Sequence, residues 1–73
     1  MKSIDKYAGS FVSLVNGRMS LTGFLRKLDG DETYRLDIRR QEGFYIFSIA
    51  DVVDVSDENS IIIVLKLENH ENT

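Results

Sequence analysis

Basic side chains gather in the first part of this chain, and their chemistry would be that of anion recognition. Arginine offers paired N–H donors that match the oxygens of a phosphate. An exposed aromatic ring beside such donors can stack on an unpaired base. The candidate residues for nucleic-acid contact on this basis are Arg26, Lys27, Tyr34, Arg35, Arg39 and Arg40.

The same residues also fit a purely structural interpretation. With strand periodicity, Tyr34 shares a face with Leu36 and Ile38, which would place it in the core. The arginines would then form ion pairs with carboxylates across a sheet. The nearby carboxylates are Asp37, Glu32 and Glu42.

Catalytic chemistry has little support in the sequence. The chain has no Cys, and its one histidine, His70, lies in a polar segment, so neither a Cys–His nor a Ser–His pair is expected in the core. The acids Asp29, Asp31 and Glu32 crowd one turn, where a weak calcium site is an alternative to plain solvation. We expect no enzyme activity, no metal, no cofactor and no small-molecule substrate.

The elements that would position these residues are predicted to be strands. Apolar residues alternate with polar ones in short runs separated by turn residues, without helical periodicity. Asn16-Gly17 suits a tight hairpin, and Gly23 inside a strand suggests a sharp bend or bulge. The predicted strands are 11–15, 19–28, 33–39, 44–49, 52–55 and 61–67. They follow a lead-in at 1–10, which is either one helical turn or irregular, and precede a polar tail at 68–73. The predicted fold is all-β: one domain, 1–73, a small barrel of five to six bent antiparallel strands.

The last predicted strand raises the question of self-association. Its sequence, IIIVLKL, is apolar on both faces, so it must be central, covered or paired with another chain. A chain of 73 residues without disulfides often needs a partner subunit. We therefore predict a homo-oligomer with Ile61, Ile63 and Leu65 at its interface; ordinary core burial is the alternative.

Charge is divided unevenly along the chain. Residues 1–40 hold eight basic and five acidic groups, a balance of +3, whereas residues 41–73 hold one basic and seven acidic groups, a balance of −6. A net charge of −3 is not typical of nucleic-acid binders, but a local basic patch remains compatible with binding. No apolar run approaches the roughly 20 residues that span a bilayer, and the first residues lack an apolar signal core, so we expect a cytoplasmic protein without a membrane partner.

Residues 9–56 resemble the Sm, LSm and Hfq superfamily of small bent-sheet barrels. The resemblance rests on LTGFL at 21–25 followed by Leu28-Asp29, on the turn LVNG at 14–17, and on YIFSIADVVDVS at 45–56. It implies assembly into a homo-oligomer, for which a ring is one form, and binding of single-stranded RNA. Thr33 and Ser48 occupy the positions of the family's two base-reading elements.

The chain departs from the family at those same positions. Thr33 stands where the family has Asn, and Ser48-Ile49 replaces Arg-Gly. Two hypotheses follow. One is a non-enzymatic, Sm-like, nucleic-acid-binding oligomer. The other is a protein-interaction module or structural subunit of SH3-like barrel type, whose partners bind a sheet edge or the acidic C-terminal half.

Overall fold

A computed structural model describes residues 4–30 and 32–66, and it is all-β. The strands are β1 (Phe11–Asn16), β2 (Met19–Lys27), β3 (Thr33–Ile38), β4 (Phe44–Ser48), β5 (Val52–Ser56) and β6 (Ile62–Leu65). One 3₁₀ turn, Asp5–Tyr7, precedes β1, and a second, Ile49–Asp51, joins β4 to β5. The prediction of six strands after a short helical turn is confirmed. The predicted tail at 68–73 lies outside the described residues.

All six strands belong to one sheet, in the order β4-β3-β2-β1-β6-β5. β4 and β5 are the two ends of the sheet, and only the three residues of the second 3₁₀ turn connect them. The sheet must therefore curl on itself into a barrel-like shape. Neighbouring strands are antiparallel except β1 and β6, which are parallel. The sequence analysis expected antiparallel strands throughout, and this pair differs because β6 reaches β1 only after the chain has passed through β5.

Two glycines shape the central strand β2. Gly17 has a φ of +62° and begins the two-residue turn between Asn16 and Met19, as in a type II′ hairpin; Asn16 itself is the last residue of β1. Gly23 pairs with β1 on one side and with β3 on the other. A Cβ at Gly23 would lie 2.8 Å from the carbonyl carbon of Asp37 and closer still to its oxygen, so a side chain is excluded here by the close approach of the β3 backbone.

The core lies on the inner face of the curled sheet. It is formed by one set of alternating residues from the strands together with Ile4. Its members are Ile4, Val12, Leu14, Leu25, Tyr34, Leu36, Phe47, Val52, Ile63 and Leu65. Tyr34 is 2% exposed and stacks on Phe47 with a centroid distance of 5.7 Å, so the structural interpretation of Tyr34 is correct.

The predicted oligomer interface is also part of this core. β6 pairs with β1 on one side and with β5 on the other, so it is not an edge strand. Ile63 and Leu65 are buried within the chain, and Ile61 is half-buried against the same core. These residues therefore fit ordinary core burial, the alternative given for them: pairing with β1 and β5 leaves β6 no free edge, and its inward face packs into the core.

Candidate functional site

The outer face of β1 to β4 carries a row of phenylalanines. Phe11 on β1 pairs with Phe24 on β2, Phe24 pairs with Asp37 on β3, and Asp37 pairs with Phe44 on β4. Residues directly opposite one another on paired strands share a face, so the four side chains form a line across the sheet. Phe11 and Phe44 are 58% and 53% exposed, which is unusual for phenylalanine.

An arginine lies over each of the three rings. The guanidinium carbon of Arg26 is 5.1 Å from the centroid of Phe24, and that of Arg35 is 4.5 Å from the centroid of Phe44. Arg39 lies 5.7 Å from the centroid of Phe11. Such contacts contribute about 0.5–1 kcal/mol each at exposed sites. We call this surface the aromatic–arginine face, and its residues are Phe11, Phe24, Arg26, Arg35, Asp37, Arg39, Phe44 and Ile46.

Asp37 neutralises part of the charge on the aromatic–arginine face. Arg26 and Arg35 are directly opposed on β2 and β3, an arrangement of like charges that is unfavourable on its own. One oxygen of Asp37 accepts from Nε of Arg35 at 2.7 Å and the other from Nε of Arg26 at 2.6 Å. These hydrogen bonds, first that of Arg35 and then that of Arg26, lower the pKa of the Asp37 carboxyl. The arginines thus pair with Asp37, as the structural interpretation expected.

Arg39 and Arg40 differ from Arg26 and Arg35, whose charges are neutralised in part by Asp37. Within residues 4–30 and 32–66, neither forms an ion pair. Arg40 follows β3 in the turn to β4 and has a φ of +69°. The two arginines border a notch of about 380 Å³ whose walls are residues 20–22 and 38–41. The unpaired positive charge of the site is therefore concentrated at the end of β3.

Two of the predicted nucleic-acid contacts lie on the opposite side of the sheet. Nζ of Lys27 is 3.0 Å from Oδ1 of Asp5, and the buried hydroxyl of Tyr34 donates to the same carboxylate. Tyr34 cannot stack a base, and Lys27 does not join Arg26, because successive residues of a strand face opposite ways. Both predictions are corrected on this point.

The contacts on Asp5 also shift two pKa values. Burial, then the hydrogen bond to Asp5, raises the pKa of Tyr34 to about 12. The hydrogen bond from Tyr34, followed by that from Lys27, lowers the pKa of Asp5. These contacts of Asp5 with Lys27 and Tyr34 hold the first 3₁₀ turn against the end of the sheet.

Thr33 and Ser48, for which the resemblance to Sm-like proteins predicts a role in base reading, are brought together. They are directly paired on β3 and β4. The Ser48 hydroxyl accepts a hydrogen bond from the Ala50 N–H at 3.1 Å and so caps the second 3₁₀ turn. The Ser48 hydroxyl therefore stabilises the backbone of this turn, whether or not it also contacts a ligand.

The three phenylalanines and Ile46 were not among the predicted site residues. A signal for Phe11 was present, because the alternation that turns Val12 and Leu14 inward turns Phe11 outward. The four apolar residues at the start of β4 carried no such signal, since a run like FYIF gives no preference for either face.

Comparison with known proteins adds no assignment to this surface. No protein-family model, curated protein or solved structure matches the chain. The described residues include no group of three or more His, Cys, Asp or Glu side chains arranged to hold a metal ion. In the described part of the chain, no helix has the length and apolar character to cross a membrane.

Proposed function

We propose that this protein is a non-enzymatic module that binds single-stranded nucleic acid, with RNA as the first candidate, on the aromatic–arginine face. The observation that carries the proposal is the line of Phe11, Phe24 and Phe44 with an arginine over each ring. Base–aromatic stacking contributes about 1–3 kcal/mol per base and tolerates any sequence. The arginines would supply contacts to phosphate.

The choice of RNA rests on the resemblance to Sm-like proteins, which we retain as a proposal together with self-assembly and a cytoplasmic location. The site proposed here differs from the family's base-reading pocket. It uses the outer face of the sheet, with Arg26, Arg35 and Arg39 as the contacts inherited from the sequence prediction. Thr33 and Ser48 border this face at the far end of β3 and β4.

The test is the salt dependence of binding to an oligouridine of about eight nucleotides, measured by fluorescence anisotropy. We expect affinity to fall steeply between about 50 and 200 mM salt. Phe44→Ala should weaken binding about tenfold through loss of one stacked base. Absence of binding by the unaltered protein at low salt would overturn the proposal.

Arg26 and Lys27 provide a matched pair of control variants. They are adjacent in sequence and equal in charge, but only Arg26 lies on the aromatic–arginine face. Arg26→Ala should weaken binding and reduce its salt slope, whereas Lys27→Ala should leave both close to those of the unaltered protein. Equal losses in the two variants would show that net charge, and not this face, governs binding.

The second candidate function is a protein-interaction module. β4 lies at one end of the sheet, its sequence FYIFS has no charge or proline, and Ile46 is 51% exposed. Natural edge strands usually carry such protective residues, and an edge without them suits pairing with an extended segment of another chain. A protein that fails to bind RNA but associates through β4 would favour this function.

A further inference from the structure

A notch opens where the sheet divides at Gly23. The pairing of β3 with β2 ends at Gly23 and Ile38, while the first part of β2 continues with β1 alone. Residues 20–22 therefore form one wall of the notch, and residues 38–41, which lead into the turn, form the other. Its volume of about 380 Å³ is at the lower end of the range for small-ligand sites.

Both charged residues of the notch are cations. Arg39 and Arg40 border it, and no acid contributes to its walls. In the described part of the chain neither arginine is in an ion pair, in contrast to Arg26 and Arg35, which share Asp37. A concave site lined by unpaired cations attracts an anion and desolvates no existing ion pair in binding it.

Neutral hydrogen-bond donors complete the walls. The Thr22 carbonyl accepts a hydrogen bond from the Arg39 N–H at 2.8 Å, so the main chain of β2 directs its polar groups toward the notch at Thr22. Residues two apart on a strand direct their N–H groups to the same side, which places the Ser20 amide on this side as well. Ser20 and Gln41, whose side chains carry a hydroxyl and an amide, line the two walls.

The backbone at Arg40 is an outlier. A non-glycine residue with a φ of +69° is held in a conformation that costs about 1 kcal/mol or more. Outliers of this kind concentrate at binding sites. Here the outlier, Arg40, is one of the two cations of the notch that form no ion pair among the described residues.

We propose that the notch binds a phosphomonoester, the terminal phosphate group of a nucleotide. Arg39 and Arg40 contact its oxygens, and the apolar parts of Leu21 and Ile38 contact the attached sugar or base. A phosphomonoester carries close to two negative charges at neutral pH, whereas an internal phosphate of a strand carries one, so two unpaired arginines complement the former. The nucleotide is either free or the phosphorylated end of a strand, and the site does not require the aromatic–arginine face to bind anything.

The first experiment is an NMR titration of the protein with uridine 5′-monophosphate, followed through the backbone amides. We expect shifts centred on residues 20–22 and 38–41, with no comparable shifts when uridine is added. Arg40→Gly should weaken binding about tenfold, since it removes one charge-assisted contact. Glycine accepts the positive φ at this position, so the variant keeps its fold.

Lys27→Ala is the matched control, because it removes a cation that is paired with Asp5 and lies outside both the notch and the aromatic–arginine face. It should bind uridine 5′-monophosphate as the unaltered protein does. The proposal is overturned if the notch amides do not respond to the monophosphate, or if Arg40→Gly and Arg39→Ala both bind it with unchanged affinity.

A second set of titrations distinguishes the two sources of the phosphate and separates this site from the proposed function. Oligouridines with a 5′ phosphate, a 3′ phosphate or neither are compared. Tighter binding of a phosphorylated strand that disappears in Arg40→Gly supports a strand end as the ligand. Equal binding of all three strands, with the monophosphate still bound in the notch, supports a free nucleotide. If the protein binds the monophosphate but no strand, the notch proposal stands and the proposed function is rejected. If it binds the strands but does not respond to the monophosphate, the proposed function stands and the notch proposal is rejected.

Discussion

Asp37 determines how much positive charge the aromatic–arginine face presents. Its two oxygens accept from Arg26 and Arg35, and it stands in the line between Phe24 and Phe44. The carboxylate therefore stabilises an arrangement of two opposed arginines and at the same time competes with any phosphate for them.

Asp37→Asn is expected to lower the stability of the fold and to raise its affinity for oligouridine. The variant leaves Arg26 and Arg35 without a carboxylate, so the free energy of unfolding should fall slightly while affinity for oligouridine rises by about threefold or more at low salt. Anisotropy and urea denaturation on the same preparations measure the two effects. An affinity that falls in parallel with stability would contradict the proposed use of this face.

The same ion pairs have a defined pH dependence. Because the pKa of Asp37 is lowered in the folded protein, its contribution to stability is complete above the pKa of the unfolded chain and disappears as the pH falls through the folded pKa. Asp5, whose pKa is lowered by Tyr34 and Lys27, acts in the same direction.

Tyr34 produces the opposite dependence at alkaline pH. Its pKa is raised from 10.0 to about 12, first by burial and then by its hydrogen bond to Asp5. Between these values the unfolded chain loses the phenolic proton and the folded protein retains it, so the free energy of unfolding falls as the pH rises, by about 2–3 kcal/mol in total. Urea denaturation from pH 9 to 12 should show this loss in the unaltered protein. Tyr34→Phe should show less of it, and identical slopes in the two proteins would refute the assignment.

At the scale of elements, β2 decides which side chains meet. It pairs with β1 through its first part and with β3 through its second, and the two pairings overlap at Gly23 and Phe24. The absence of a side chain at Gly23 lets the Asp37 backbone approach β2 closely here, and the pairings of β2 on both sides make the aromatic row continuous across four strands.

Gly23→Ala is expected to destabilise the fold by about 2–3 kcal/mol, because the added methyl group meets backbone atoms of Asp37 that cannot move alone. Urea denaturation measures the change. Ser20→Ala is the matched control on the same strand; its side chain is exposed, so the change should be within about 0.5 kcal/mol. A loss below about 1 kcal/mol at Gly23 would mean that the sheet does not need this close approach.

At the scale of the whole molecule, the order of the strands decides which surfaces are open to a second copy. β6 lies inside the sheet, whereas β4 and β5 are its ends. The predicted homo-oligomer therefore needs a seam other than Ile61, Ile63 and Leu65. β4 is suited to this, because Phe44 and Ile46 are exposed and no charge protects the strand.

Light scattering on a sizing column, at several protein concentrations, distinguishes a seam on β4, tested at Ile46, from one on β6, tested at Ile63. Ile46→Lys should reduce the native mass of an assembly while the chain stays folded, since the added charge protects an edge strand. Ile63→Lys should unfold the chain, since it buries an unpaired charge in the core. A native mass that is unchanged in folded Ile46→Lys would exclude β4 as the seam.

Local sequence patterns determined the strands and the turn at Gly17, since these depend on alternation and on the positive φ that glycine accepts. They also determined that Arg35 and Arg39 would share a face, whereas the register of β2 with β3 decided that Arg26, and not Lys27, joins them. Tertiary structure alone decided that β6 lies between β1 and β5, because pairing of distant strands leaves no local signal. It decided too that Phe11, Phe24 and Phe44 form one line, since that line depends on the register of three separate pairings. The aromatic–arginine face therefore depends on the register of the strand pairs. Each strand supplies side chains, and the register determines which of them become neighbours.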